Sequence, residues 1–164
     1  MKVGYPIKIL LPGQPYVKKN QQRSGAGGYR YNSPGYNNWH RNAKHRMMEL
    51  GYDVGFADRR KKLKKLGQDV SGMKGLVNMP VTLQCRFYMR TDGIVDMSNL
   101  YEGVQDLLVE CGVLEDDNWH IVASHDGSRC FKDKDDPRIE ITILPLREVS
   151  PNPGARSIAR ELFG

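Results

Sequence analysis

Two hydrophobic rhythms run along this chain. From Tyr5 to Leu11 apolar side chains alternate well enough for a strand, and Pro12-Gly13-Gln14-Pro15 ends it by removing donors and fixing the backbone. A loop is then expected as far as Asn32. Ser33-Pro34 supplies a cap and a first-turn proline, after which Tyr36, Trp39, Ala43, Met47 and Leu50 recur at helical spacing and predict a helix over Pro34 to Leu50. Between Gly51 and Asn78 apolar groups thin out around Arg59-Arg60-Lys61-Lys62-Leu63-Lys64-Lys65-Leu66, which reads as a short basic helix in a mobile inserted loop. Period two returns from Pro80 to Met89, where Val81, Leu83, Cys85 and Phe87 alternate with Thr82, Gln84, Arg86 and Tyr88. Leu100, Val104, Leu107, Leu108 and Cys111 then fall on one side of a second helix, which Gly112 stops. Ile121 to Ser124 and Arg138 to Leu144 predict two further strands, joined by the polar loop His125 to Asp136 as an antiparallel pair.

The order strand-helix-strand-helix-strand-strand gives an expected α/β (α+β) fold, a small mixed four-stranded sheet with helices packed against it. At 164 residues, one domain over 1–149 with a loose tail over 150–164 is the natural division. Cys85, Cys111 and Cys130 are odd in number and widely spaced, so neither a disulfide framework nor a zinc site is indicated. No stretch reads as a targeting signal or a membrane span, and a soluble cytoplasmic protein is expected.

Charge narrows the partner. The formal net charge is +6, which favours polyanions. It is unevenly distributed, with basic clusters at Lys18 to Arg30, Arg41 to Arg46 and Arg59 to Lys65 flanking an acidic region from Asp92 to Asp117. Lys18, Lys19 and Arg23 share a loop with Tyr16, Tyr29 and Tyr31, a mix suited to phosphate contacts with aromatic stacking. Arg59, Arg60, Lys61 and Lys62 could grip a duplex arm.

Within the acidic region, Asp96 precedes the second helix and Asp116 and Asp117 follow it. A helix of about a dozen residues holds its ends roughly 20 Å apart, so the chain after Gly112 must fold back if these groups share a site. Clustered aspartates repel one another unless a divalent cation neutralises them, and their hard oxygens suit Mg2+ or Mn2+. Such an ion activates water and stabilises charge developing on a phosphate. The competing reading of Glu115-Asp116-Asp117-Asn118 is a solvated turn.

Asp96-Met97-Ser98-Asn99-Leu100, the helix with Asp106, Gly112-Val113-Leu114-Glu115-Asp116-Asp117 and the closing Pro137-Arg138-Ile139-Glu140-Ile141 together resemble the RusA family of Holliday junction resolvases. Gly13-Gln14-Pro15-Tyr16-Val17-Lys18-Lys19-Asn20 and the helix opened by Ser33, Tyr36 and Trp39 resemble phage members of that family. The likeness covers roughly Tyr5 to Leu144 apart from the basic insertion. It implies a metal-dependent endonuclease for branched DNA, encoded by a phage or prophage and acting as a homodimer, with Asp96 and Asp117 as catalytic metal ligands and Asp116 as a helper.

Two positions depart from the family pattern. Its second aspartate falls on Ser98, and a lysine usual one turn later falls on Glu102. Glu102 could return the lost negative charge to the same helix face; Ser98 could act as a weak ligand or as a helix cap. Glu102, Asp106 and Glu110 also form a stripe opposite the apolar face, the usual mark of a solvated surface. His40, His45, His120 and His125 lack partner spacing for a histidine nuclease, and Gly25-Ala26-Gly27-Gly28 lacks the context of a phosphate loop, so no nucleotide cofactor is expected. The rivals are a RusA-like protein that binds branched DNA without cutting it and an RNA-binding accessory protein.

Overall fold

The computed structural model describes residues 4–17, 23–24, 30–31 and 33–146. Its elements are β1 (Ile7–Pro12), β2 (Arg23–Ser24), β3 (Arg30–Tyr31), α1 (Pro34–Glu49), α2 (Phe56–Lys65), β4 (Val81–Met89), α3 (Met97–Glu110), β5 (Val122–Ser124), β6 (Arg129–Lys132) and β7 (Arg138–Pro145). This is an α+β fold built on a five-stranded mixed sheet.

Alternation decides which face of the sheet is dry. β7 lies antiparallel between β1 and β4, and their inward residues align in rows, Ile7 with Ile143 and Leu83, Ile9 with Ile141 and Cys85, Leu11 with Ile139 and Phe87. All nine are buried. Helices cover this face: Tyr36, Trp39, Ala43 and Met47 of α1 and Leu100, Val104, Leu107 and Leu108 of α3 are buried. Burying each large side chain of this kind contributes about 1.5–3 kcal/mol. At Gly103 α3 packs beside the Trp39 ring, which lies 3.7 Å from where a Cβ would stand, an ordinary contact distance. Lys8, Arg86, Glu140 and Thr142 occupy the other, open face, where the Arg138 guanidinium lies 3.7 Å from the Tyr88 ring centroid.

The first helix is capped as its sequence requires, with Tyr36 N–H donating to Ser33 Oγ at 3.2 Å, although Leu50 lies at its C-terminal cap and is exposed. The expected loop before it contains the small antiparallel pair β2 and β3. The last two expected strands are not a hairpin. β5 runs parallel to β4 because α3 carries the chain back before it, whereas β7 occupies the opposite edge of β4. The polar segment between them contributes β6, also parallel to β4. The sheet is thus four rows wide, and its last row is shared by β5 and β6. Where that row breaks, side chains take over the ladder: Cys85 N–H donates to Ser128 Oγ at 2.9 Å and His125 Nδ1–H donates to the Leu83 carbonyl at 3.2 Å.

The exit from α3 positions everything that follows. Gly112 takes a left-handed φ of 66°, Gly112 N–H donates to Val109 O at 3.1 Å and Val113 N–H to Leu108 O at 2.9 Å, a Schellman closure that turns the chain back. The returning segment is stitched to the end of the insertion by Leu76 N–H to Gly112 O (2.9 Å), Val77 N–H to Val113 O (2.8 Å) and Glu115 N–H to Val77 O (2.8 Å). Gly75 makes this approach possible, since a Cβ there would lie 2.5 Å from Glu115 N and 2.6 Å from Leu114 C. Backbone cannot swing aside as a side chain can. Gly75→Ala is therefore expected to lose about 1–3 kcal/mol of stability, whereas Gly72→Ala, with open space around its Cβ position, stays within about 0.5 kcal/mol of wild type. Urea denaturation of both variants checks this; equal midpoints would show that the stitch does not constrain the chain.

Candidate acidic site and its basic flank

Asp96 occupies the N-cap position of α3 with extended φ and ψ of −74° and 124°, yet its side chain does not cap the helix. It accepts instead from Asn99 Nδ2 at 3.3 Å. Ser98, for which a capping role was one reading, lies inside the first turn and is exposed. The cap position belongs to Asp96 because the helix begins at Met97, one residue before Ser98.

At the other end the chain does fold back. Gln105 Nε2 donates to the Asp117 carbonyl at 3.2 Å, so the acidic loop lies against the middle of α3. Gln105 is nine residues beyond Asp96, about 13 Å along the helix axis at ~1.5 Å per residue. The return thus closes part of the helix-length gap and leaves Asp96 and the Asp116–Asp117 pair as two separate acidic positions along α3.

The three acids of the loop have different occupations. Glu115 accepts from Arg60 Nη2 at 2.7 Å and from the Gly75 backbone N–H. Asp116 builds the turn, accepting from Asp117 N–H at 2.8 Å and from Asn118 Nδ2 at 2.9 Å. Partial desolvation opposes its charged form, but these donors outweigh it and hold the carboxyl below its ordinary value. Asp117 moves the other way. Desolvation first, then hydrogen bonding with Asp116 and the negative charges of Asp116 and Asp106, push its carboxyl above the ordinary value. Asp106 is therefore a member of this neighbourhood that spacing along the sequence had assigned to a solvated stripe.

That stripe is an interface. Glu110 accepts from His40 Nε2 at 2.9 Å and lies 3.5 Å from Lys44 Nζ, both on α1, and these contacts hold Glu110 below its usual range. Glu102 is half-buried on the same side. Burial, with the charges of Asp106, Glu110 and Glu102 behind it, pushes the Tyr36 hydroxyl up to about 12. The matching signal was in the sequence: Tyr36, His40 and Lys44 recur at the same four-residue spacing as Glu102, Asp106 and Glu110.

The basic insertion is brought to the acidic loop by the Arg60–Glu115 pair and by Phe56, which packs on Gly112. Arg59 is bound to Asp53. Lys61, Lys62, Lys64 and Lys65 are exposed and form no ion pair among the described residues. Of the other expected DNA contacts, Arg23 lies on β2 opposite Tyr31, and Lys18 and Lys19 lie outside the described residues. Just before them, Gln14 Oε1 accepts from Arg90 N–H at 2.7 Å, and an open cleft of about 530 Å³ runs between Tyr16, Arg90, Thr91 and Val95, ending one residue from Asp96. The Arg90 contact is made by its backbone, so no residue type in the sequence marks it.

Among the described residues no three His, Cys, Asp or Glu side chains are grouped to hold a metal. Asp116 and Asp117 nevertheless supply the hard oxygen donors that Mg2+ and Mn2+ take, and such ions commonly bind through one or two carboxylates, with waters and substrate phosphate completing the shell. No family model matches the chain, and no curated protein matches it significantly. Among the described residues no helix is long and apolar enough to cross a membrane.

A raised carboxyl pKa means that the folded protein is penalised by the ionised form of Asp117, fully above its folded value and not at all below the ordinary value near 3.8. Asp117→Asn is expected to raise Tm slightly at pH 7, with the gain vanishing as pH falls through that range. Millimolar Mn2+ should raise the Tm of the wild type and leave that of Asp117→Asn unmoved. A thermal melt series over pH and Mn2+ tests both; equal Mn2+ shifts in the two proteins would remove Asp117 from any cation site.

Proposed function

We propose that this protein is a divalent-metal-dependent endonuclease that hydrolyses phosphodiester bonds in branched DNA, of the RusA-like kind its motifs resemble. The observation that carries this reading is the joining of opposite charges at one place: an acidic loop that sets Asp117 beside Asp116 and near Asp106, with a lysine-rich helix clipped to it through Arg60 and Glu115. A cation between Asp117 and a phosphate would relieve the first, and the lysines would hold the polyanion beside it. Bound Mg2+ or Mn2+ supplies Lewis acidity and an activated water. Asp117 and Asp116 would hold the ion, Asp96 would face the substrate from the N-terminal end of α3, and Glu102 would stand in for the charge missing at Ser98. A four-way junction has approximate two-fold symmetry, which suits a homodimer presenting two such sites.

A second reading has its own support. Asp96 is engaged by Asn99 at the N-terminal end of α3, about 13 Å along the axis from the Gln105 that holds the Asp117 carbonyl, and Ser98 adds no carboxylate there, which favours a branched-DNA-binding protein of the same fold with impaired cleavage. Incubation of a synthetic four-way junction with Mg2+ or Mn2+ separates the two. The nuclease reading expects cutting by wild type and a loss of at least about 100-fold, comparable to the removal of a principal transition-state stabiliser, in Asp96→Asn and in Asp117→Asn. Binding without cutting selects the second reading, and cutting that survives both substitutions refutes the site.

The lysine flank is tested by salt. Replacing Lys61, Lys62, Lys64 and Lys65 by Gln should reduce the slope of log affinity against log salt by about 2–4, near 0.9 per lost phosphate contact. An unchanged slope would remove the helix from the DNA interface.

A further inference from the structure

Trp119 is a large aromatic that the described residues leave mostly uncovered. It is 73% exposed, although an indole is among the most rewarding side chains to bury. The turn that carries it is nevertheless held on both sides. Asn118 donates through Nδ2 to Asp116 at 2.9 Å, while its Oδ1 accepts from His120 N–H at 2.9 Å. The Asn118 carbonyl accepts from Ile121 N–H at 3.0 Å and from Val122 N–H at 2.8 Å, and both of these residues are buried. The His120 ring lies against the indole with centroids 3.9 Å apart and planes inclined by 30°. The ring is thus stiffened from one side and open on the rest of its surface.

Its setting defines the partner. Trp119 is two residues beyond Asp117, at most about 7 Å of extended backbone, and the lysine-bearing α2 is fastened to the same loop through Glu115. A partner that is flat enough for an indole and anionic enough for four exposed lysines is a nucleotide. We propose that Trp119, backed by His120, is a stacking platform for an unpaired nucleobase in a strand bound at the acidic loop. A stacked strand advances about 3.4 Å per nucleotide, which would put that base within about two nucleotides of a phosphate at Asp117. Every base has a π face, so the platform would select unpaired bases, such as those at a branch point, without selecting sequence. The inference rests on the nucleic-acid reading above and adds how a branched substrate would be told from continuous duplex.

The chain has two tryptophans, Trp39 and Trp119. Trp39 is buried with its Nε1 lacking an acceptor among the described residues, and Trp39→Phe leaves Trp119 as the single indole fluorophore. Emission of that variant should be quenched by a junction or single strand with unpaired bases and little changed by blunt, fully paired duplex. Trp119→Ala should weaken binding to the unpaired substrates about ten-fold or more while Trp119→Phe keeps most of it, and both should leave the salt slope and duplex affinity unchanged. Wild-type cutting with unaltered affinity in Trp119→Ala would overturn the stacking proposal alone. Quenching that follows protein concentration without DNA would assign the ring to a contact between copies and overturn it too. A wild type that neither binds nor cuts any DNA would refute the nuclease reading and the platform together.

Discussion

Whether the acidic groups of this chain can serve one site depends on how the backbone leaves α3. The left-handed Gly112 closes the helix, and the returning segment is locked by backbone pairing with Leu76 and Val77 and by the close approach at Gly75. Without that ladder, Glu115, Asp116 and Asp117 would trail from a helix end roughly 20 Å from Asp96. With it, the loop lies against Gln105, and the basic insertion, which ends in the same ladder, is carried along. One backbone stitch therefore sets the acidic loop and its basic flank together.

The consecutive acids of that loop divide the work by what satisfies them. Glu115 is neutralised by Arg60 and a backbone donor, and Asp116 is consumed in forming the turn. Asp117 receives the opposite treatment, placed among like charges.

Much of the architecture was legible in the sequence because it follows from local rules. Ser33-Pro34 fixed the start of α1, period two marked β1, β4 and β7, and Gly112 marked the end of α3. What was hidden depends on partners distant in the chain. The segment Arg129–Lys132 is exposed at every position, so it lacks the alternation that reveals a strand and is defined only by pairing with β4. Ile121 to Ser124 showed its strand character but not its direction, which the crossover through α3 determines. The acidic stripe of α3 looked solvated because its counterpart, Tyr36, His40 and Lys44, lies on another helix. At the site itself, residue types pointed to Asp96, Asp116 and Asp117, while the distinct state of Asp117 and the nearness of Asp106 come from folding.

The basic helix shows a further division that composition conceals. Arg59, Arg60, Lys61, Lys62, Lys64 and Lys65 look equivalent as a charge run, yet the two arginines are bound to Asp53 and Glu115 while the four lysines remain exposed. The chemistry fits the allocation. A guanidinium is a fixed fork of donors suited to a defined carboxylate, whereas an ammonium on a flexible stem is a point charge that can follow an irregular phosphate path. The helix has no buried residue of its own, so Arg60, paired with Glu115, and Phe56, against Gly112, fasten it to the fold, while Arg59 pairs with Asp53 inside the insertion. Removing Arg60 would accordingly disturb two things at once, the position of the lysines and the compensation of Glu115, and its effect would resemble loss of the loop's geometry more than loss of one phosphate contact. The lysines are thereby the charges of the run left exposed among the described residues.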